Sequence, residues 1–540
     1  MNVTFRPVLL WILLAFGWSN LASANICVNF DLPDHADYRF NDDIKVTAHD
    51  GLSLDANLFT PNTPPPANGY PTVIFINSWV LDEHEYFLQA AKYAQRGYQA
   101  LSYSSRGWGC SEGVVDVAGP NDMADLSAMV DWLLANTQAD PNAIGVTGIS
   151  YGSGIGLLGL AHEPRIKTAV AMSTWGDLVE SLYAQQTPRL FWGFFLVSSG
   201  LITANMDPVI AQNYRNLVEH KNIPETMAWG YERSPSRVID QINARQAPVY
   251  LANSFGDNLF QPNNLLRFFE QLSGPKRLDL NQGTHASAEG LGLLGIPNYT
   301  WDNARDWFDY WLKGEDTGIM ARPPLTMLTD LKHKREEYAA WPIPGAQTRT
   351  LYMHPRGLLS NGGLSDAQYD SWLNRTNTIY SGLDSGASTG IPLLSALLDG
   401  LGLPVYASMP LINRVHGIVY QSGALSETLK IRGAAKIHLN IEPSYSKVQL
   451  NAYLYDVDAL GIGKLITHAP ATLHDATPWR DQSLDMELTA AAYDVPAGHR
   501  IAIAFDTFDI LYGPPTLTPY AVSFRHSNAA QSYLELPEAP

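Results

Sequence analysis

Three residues of this sequence are suited to covalent chemistry together: a serine between glycines in Gly148-Ile149-Ser150-Tyr151-Gly152, an aspartate in Ser254-Phe255-Gly256-Asp257-Asn258 and a histidine in Gly283-Thr284-His285-Ala286. A hydroxyl becomes a nucleophile when an imidazole takes its proton, and a carboxylate on the other ring nitrogen fixes the tautomer that can do so. Such a trio attacks an acyl carbon, forms an acyl-enzyme and releases it to water. The attack places charge on the acyl oxygen, which needs N–H donors. One is expected from the backbone of Tyr151, the residue after the serine. The second is expected from the Asn77-Ser78-Trp79 loop, at the Trp79 or Ser78 backbone.

Each of these residues stands where an element should end. Ser150 follows an apolar run at 143–146 and precedes residues 153–161, which can be helical. A turn this tight from strand into helix needs neighbours without Cβ atoms. It leaves the hydroxyl at a helix N-terminus, where the dipole favours negative charge. Asp257 comes just after the run 248–252, and His285 after the run 277–280. Glu270 and Asp279 are alternative acids, but neither sits at a strand end. His162, His220 and His354 fall in cap, helix-end and β-domain contexts. The chain order Ser, Asp, His is that of α/β-hydrolases.

The elements that would carry the trio are legible as patterns. Residues 44–59 alternate around Asp50-Gly51, which predicts a hairpin. Short apolar runs at 72–76, 99–103, 143–146, 168–171 and 248–252 alternate with helical periodicity and predict a parallel sheet with crossover helices. Met123, Leu126, Val130, Leu133 and Leu134 share one helix face, as do Trp301, Trp307, Phe308, Trp311 and Leu312. The expected layout is a leader at 1–24, an α/β catalytic domain at 25–177 and 246–320, a helical cap at 178–245, a linker at 321–346 and an all-β domain at 347–540. Trp175, Trp192 and Phe260 are expected to line an apolar substrate pocket with Trp79 and Tyr151.

Composition narrows the partners. A net charge of -18 argues against nucleic acid, whose binding depends on Lys and Arg displacing counterions. Arg6, the apolar run 8–16 and Ala22-Ser23-Ala24 read as a signal peptide cut after Ala24, which predicts a periplasmic or secreted protein. That run is far below the roughly 20 residues of a membrane span, and no later stretch reaches that length. Cys27 and Cys110 are the two cysteines. They read equally well as a disulfide in an oxidising compartment or as two unrelated thiols. No phosphate loop, dinucleotide fingerprint or metal-spaced histidine cluster stands out, so neither a cofactor nor a metal is expected. The expected partner is a small-molecule ester.

The segments Ser104-Ser105-Arg106-Gly107-Trp108-Gly109-Cys110-Ser111-Glu112-Gly113, the helix at 122–132, the three turns carrying Ser150, Asp257 and His285, and Phe308-Asp309-Tyr310-Trp311-Leu312-Lys313-Gly314 resemble the X-Pro dipeptidyl-peptidase S15 superfamily, above all its CocE/NonD hydrolases. Val495-Pro496-Ala497-Gly498-His499-Arg500 is similar to part of that family's C-terminal jelly roll, and the resemblance runs from about residue 43 to 538. It implies an α/β-hydrolase domain, an inserted helical cap and a β-sandwich bordering the active site. Three positions depart from the family pattern. Ser78-Trp79 stands where cocaine-esterase-like members supply an oxyanion tyrosine, and Ser105 stands where an aspartate is usual. Asn258-Leu259-Phe260 lacks the carboxylates that hold a substrate ammonium in the amino-ester hydrolases. Ester hydrolysis by a serine hydrolase is therefore expected first. Xaa-Pro dipeptidyl-peptidase or amidase action on the same triad is the alternative, and a catalytically silent binding protein is the alternative of another class.

Overall fold

The computed structural model describes residues 35–330, 332–401 and 403–540. The expected leader, and Cys27 with its two readings, lie outside them.

The apolar runs of the first half form one sheet. Its strands are β1 (Tyr38–Thr47), β2 (Ser53–Pro61), β3 (Tyr70–Ile76), β4 (Gln99–Tyr103), β5 (Ala139–Ile149), β6 (Ile166–Met172), β7 (Val249–Ser254), β8 (Lys276–Asn281), β9 (Leu325–Leu328) and β10 (Arg335–Tyr338). The spatial order is β1-β2-β4-β3-β5-β6-β7-β8-β9-β10. Pairing is parallel from β4 and β3 through β9. It is antiparallel at both edges, where β2 pairs with β1 and β4, and β10 with β9. β3, β4 and β7 are buried at every residue, as parallel strands covered on both faces must be. The first hairpin turns at Asp50-Gly51, where Gly51 takes φ +87° and donates to the Ala48 carbonyl.

β4 lies on one side of β3 and β5 on the other, so successive crossovers diverge and leave a crevice at the carboxyl ends of these strands. Ser150 directly follows β5 at that crevice. The helix Pro120–Asn136 buries Met123, Leu126, Val130 and Leu133 against the sheet, with Leu134 at its margin. The helix Tyr299–Phe308 continues into a π turn, Asp309–Lys313, and buries Trp301, Trp307, Phe308 and Leu312, with Trp311 half-buried.

Segment 321–346, read above as a linker, carries β9 and β10 and extends the sheet beyond β8, with Leu278 opposite Leu325. Strands of four residues amid proline and charge are too short to show a period.

Between β6 and β7 the chain forms the helices Leu178–Tyr183, Leu190–Thr203, Pro208–Glu219, Ile223–Glu232 and Ile239–Ala244. Leu190–Thr203 is almost wholly apolar, yet only Trp192, Val197 and Gly200 are fully buried on it. The Trp79 indole donates to the Leu196 carbonyl at 3.1 Å, tying this helix to the loop after β3.

Past residue 346 the chain is β-rich with a separate core that includes Leu439, Leu450, Leu454, Ile503 and Phe524. Leu429–Gly433, Lys436–Pro443, Val448–Val457 and Arg500–Asp506 are strands here, and the long strand Ile462–Leu473 runs antiparallel beside Val448–Val457. This part clasps the cap: the Gly513 N–H donates to Pro188 O at 3.1 Å, and the Gln185 amide donates to Pro470 O at 2.9 Å. It also touches the catalytic part, where the Asn263 amide donates to Leu488 O at 2.9 Å. The whole is an α/β-hydrolase fold with an inserted helical cap and a β-rich C-terminal domain. Among the described residues no helix is long and apolar enough to cross a membrane.

Candidate active site

Ser150 is held in a strained turn, with φ +55° and ψ −116°, and the helix Tyr151–His162 begins at the next residue. Such backbone costs a serine about 1 to 3 kcal/mol and persists only when the surroundings enforce it. They do so here by close approach. A Cβ at Gly148 would lie 2.6 Å from the carbonyl carbon of Gly152, and one at Gly152 would lie 2.1 Å from Ile76 O. The Ser150 N–H donates to Met172 O at 2.9 Å, and its carbonyl accepts from Ser153 and Gly154 N–H at 3.1 and 3.2 Å. β6 on one side and the helix on the other thus fix the turn.

The three residues singled out in sequence come together at this turn. Ser150 Oγ lies 2.8 Å from His285 Nε2, and His285 Nδ1 lies 2.7 Å from Asp257 Oδ2. Asp257 is fully buried, and its other oxygen accepts from the Leu259 and Phe260 N–H groups at 2.9 and 2.8 Å. Those bonds leave Oδ2 aimed at the ring. Phe260 and Trp192 meet His285 edge-on, with ring centroids 5.1 and 5.8 Å away. The alternative acids are engaged elsewhere or outside: Asp279 pairs with Arg277 and accepts from Tyr250, while Glu270 faces solvent.

The oxyanion loop differs from the two-way expectation. The Ser78 N–H donates to Glu85 Oε2 at 2.7 Å, and its hydroxyl oxygen lies 2.6 Å from Glu85 Oε1. Ser78 is therefore not the donor; its N–H is already used. Trp79 N–H has no acceptor among the described residues, and its ring meets that of Tyr151 edge-on at 5.7 Å. The Tyr151 N–H opens the helix and has no intrahelical acceptor. Tyr151 is anchored by its own hydroxyl, which donates to Asp122 Oδ2 at 2.7 Å. Burial pushes both Glu85 and Asp122 up to about 7.

Behind the imidazole is a clamp that the sequence did not reveal. The Ser173 hydroxyl accepts from the Ala286 N–H at 3.0 Å and donates to Glu289 Oε2 at 3.1 Å. Ala286, next to His285, is itself at φ +58°. Burial pushes the Glu289 carboxyl up to about 7, against the bond from Ser173 and the pull of His285. The one signal available was spacing: Glu289 lies one helical turn beyond His285.

Two cavity lobes meet at Ser150. One, open to solvent, lies under the cap and is lined by Trp79, Tyr151, Trp175 and Phe260 among mostly apolar neighbours. The other is lined by His285, Trp192, Ser78 and Trp79. The Trp175 indole donates to Arg233 O at 2.8 Å, which sets its ring as a wall of the lobe under the cap. One group of side chains could hold a metal ion among the described residues, namely Asp42, Glu83 and His84, and none of them lines either lobe.

The family model for the X-Pro dipeptidyl-peptidase S15 family matches residues 50–287, and that for the X-Pro dipeptidyl-peptidase C-terminal non-catalytic domain matches residues 310–533. A Bacillus anthracis protein named as an Xaa-Pro dipeptidyl-peptidase is 22% identical over 461 residues, covering 79% of this chain and 71% of its own. A Mycobacterium tuberculosis protein named as a serine esterase is 24% identical over 324 residues, covering 53% of this chain and 50% of its own. A solved CocE/NonD family hydrolase from Staphylococcus aureus superposes with a TM-score of 0.73 at 14% identity, over 93% of this chain and 94% of that one. An α-amino acid ester hydrolase superposes with a TM-score of 0.68 at 17% identity, over 95% of this chain and 98% of that one. At such identities the solved structures speak for the fold alone. The two family models between them match both halves of the fold, and by them the chain belongs to the X-Pro dipeptidyl-peptidase S15 family of serine hydrolases.

Proposed function

We propose that the protein hydrolyses carboxylic esters through an acyl-enzyme, with Ser150 as nucleophile, His285 as base and Asp257 as the acid that orients the base. One observation carries the reading: a single imidazole bridges a strained serine and a buried carboxylate at the mouth of an apolar cavity that no carboxylate lines among the described residues. His285 takes the Ser150 proton as Oγ attacks the acyl carbon, and the oxyanion is met by the Tyr151 and Trp79 N–H groups. The tetrahedral carbon then expels the alcohol, which receives its proton from His285. Water repeats the sequence on the acyl-enzyme and restores Ser150.

That proton delivery allots the lobes. The leaving group must sit beside the imidazole, so the lobe lined by His285 takes the alcohol and the lobe under the cap takes the acyl part. An Xaa-Pro dipeptidyl substrate would bring its N-terminal ammonium into the acyl lobe. Among the described residues no carboxylate lines that lobe, and a buried ammonium without a counter-charge is costly. A small-molecule ester as partner, chemistry that needs no added cofactor, and export of the mature enzyme complete the proposal.

Parallel assays of an aryl ester and an Xaa-Pro anilide test it. Ester turnover well above anilide turnover is expected; anilide turnover alone would move the protein to the peptidases. Labelling by a fluorophosphonate probe, lost in Ser150→Ala, separates an enzyme from a silent binding protein.

A further inference from the structure

Among the described residues Arg189 is an ion without a counter-ion. It is 4% exposed and lines the acyl lobe with Ser150, and its Nε and Nη1 have no hydrogen-bond partner among those residues. The groups around it are neutral or spoken for. Its guanidinium lies 5.1 Å from the centre of the Tyr512 ring, and the Tyr512 hydroxyl is 2.7 Å from His468 Nδ1. Burial, with the nearby Arg189 charge, pushes His468 down to about 3, so it is uncharged at neutral pH. Asp509 accepts from Thr389 N–H and hydroxyl, Leu511 N–H and Tyr453 hydroxyl, all within 3.0 Å. In the adjoining cavity, Glu180 and Glu487 are both taken by Arg267.

A second donor faces the same space. Asn213 lines the lobe, and its Nδ2 is buried without an acceptor. The lobe therefore offers an apolar wall, donors without acceptors and one positive charge. Buried donors left unpaired cost stability, and a guanidinium fork matches a carboxylate. The backbone also fixes Arg189 in place, since its N–H donates to Leu182 O at 3.1 Å and the flanking Pro188 is clasped by the Gly513 N–H.

We propose that the acyl lobe binds an acyl chain ending in a carboxylate, held by Arg189 with help from Asn213, so that the substrates are monoesters of dicarboxylic acids. The proposal rests on the ester-hydrolase reading and names its substrate class. Hydrolysis adds one water across the ester bond and yields the dicarboxylic acid and the alcohol.

The test uses three aryl esters of equal acyl length on the intact protein: one ending in methyl, one in carboxylate and one in ammonium. The carboxylate ester is expected to exceed the methyl ester in kcat/KM by about tenfold or more, with the ammonium ester poorest. In Arg189→Met the carboxylate-to-methyl ratio falls by about 10- to 100-fold, and in Arg189→Lys it falls less. A wild-type ratio at or below one overturns the proposal, as does a ratio that Arg189→Met leaves unmoved in a folded protein. Should Arg189→Met fail to fold, the wild-type order of the three esters decides alone. Absence of turnover with all three sinks instead the ester reading beneath it.

Discussion

His285 and His84 each have a carboxylate at Nδ1, Asp257 at 2.7 Å and Asp82 at 3.1 Å. They differ at Nε2. His285 meets the Ser150 hydroxyl there, whereas His84 meets both oxygens of Asp42 at 3.1 and 3.0 Å. Burial alone would lower the His84 pKa, but its bonds to Asp82 and Asp42 outweigh burial and hold it at about 9. An imidazole with acids on both edges is an imidazolium at neutral pH, a donor on both sides and no base. One with an acid on one edge and a hydroxyl on the other can accept a proton and pass it on. A carboxylate at Nδ1 therefore says little; the partner of the second nitrogen separates a catalytic histidine from a structural one.

The largest effect should come from removing the group that makes the difference. Ser150→Ala is expected to lower kcat on an aryl ester by about a millionfold, with folding intact, in a steady-state assay beside a thermal melt. Residual activity within a hundredfold of wild type would mean that another nucleophile does the work.

Next comes the shared feature, the acid on Nδ1. Asp257→Asn should cost about 10⁴ in kcat, because an amide can present N–H to Nδ1 and favour the wrong tautomer. The bonds from Leu259 and Phe260 to Oδ1 remain available, so the loop should hold its shape. Asp42→Asn, which removes the acid that His84 carries on Nε2, should act on stability and leave the ester assay within about twofold. If Asp42→Asn lowered kcat as Asp257→Asn does, the two histidines would not differ as argued.

The charge on His84 can be read in stability against pH. Its folded pKa stands at about 9 against an ordinary 6.5, so its stabilisation is fully present below 6.5 and is lost as pH rises through 9. The difference amounts to up to about 3 kcal/mol. Urea unfolding of wild type and His84→Gln at pH 6 and pH 9.5 should show the wild-type advantage shrinking by that order. Glu83, pushed up to about 7 by burial, is present in both proteins, so subtracting the variant removes most of its contribution. An advantage that grew with pH would contradict a charged His84.

What could be read from sequence divides along the same line. Ser150, Asp257 and His285 are legible because each follows the end of a buried strand, and short apolar runs give those strands away. The cap was legible as a long excursion between two such runs. Ser78 and Trp79 could not be told apart, since what separates them is Glu85 folding back on the Ser78 N–H. β9 and β10 are too short to announce themselves, and Arg189 sits beside a run so apolar that one cation there looks incidental. Ser173 and Glu289 come from separate elements and meet only across the fold.

Those last two residues supply the smallest effect. The Ser173 hydroxyl bonds the Ala286 N–H and Glu289, so it acts on His285 through the backbone and is a positioning residue. Ser173→Ala removes one hydrogen bond that holds the His285 loop at positive φ, worth about 1 kcal/mol, so kcat should fall by up to about tenfold while KM stays near wild type. Glu289→Gln should cost less, because the amide oxygen can still accept from the Ser173 hydroxyl. The pair of variants distinguishes positioning from packing. A loss confined to thermal stability in Ser173→Ala, or a larger loss of kcat in Glu289→Gln than in Ser173→Ala, would show that this clamp does not set the imidazole that distinguishes His285 from His84.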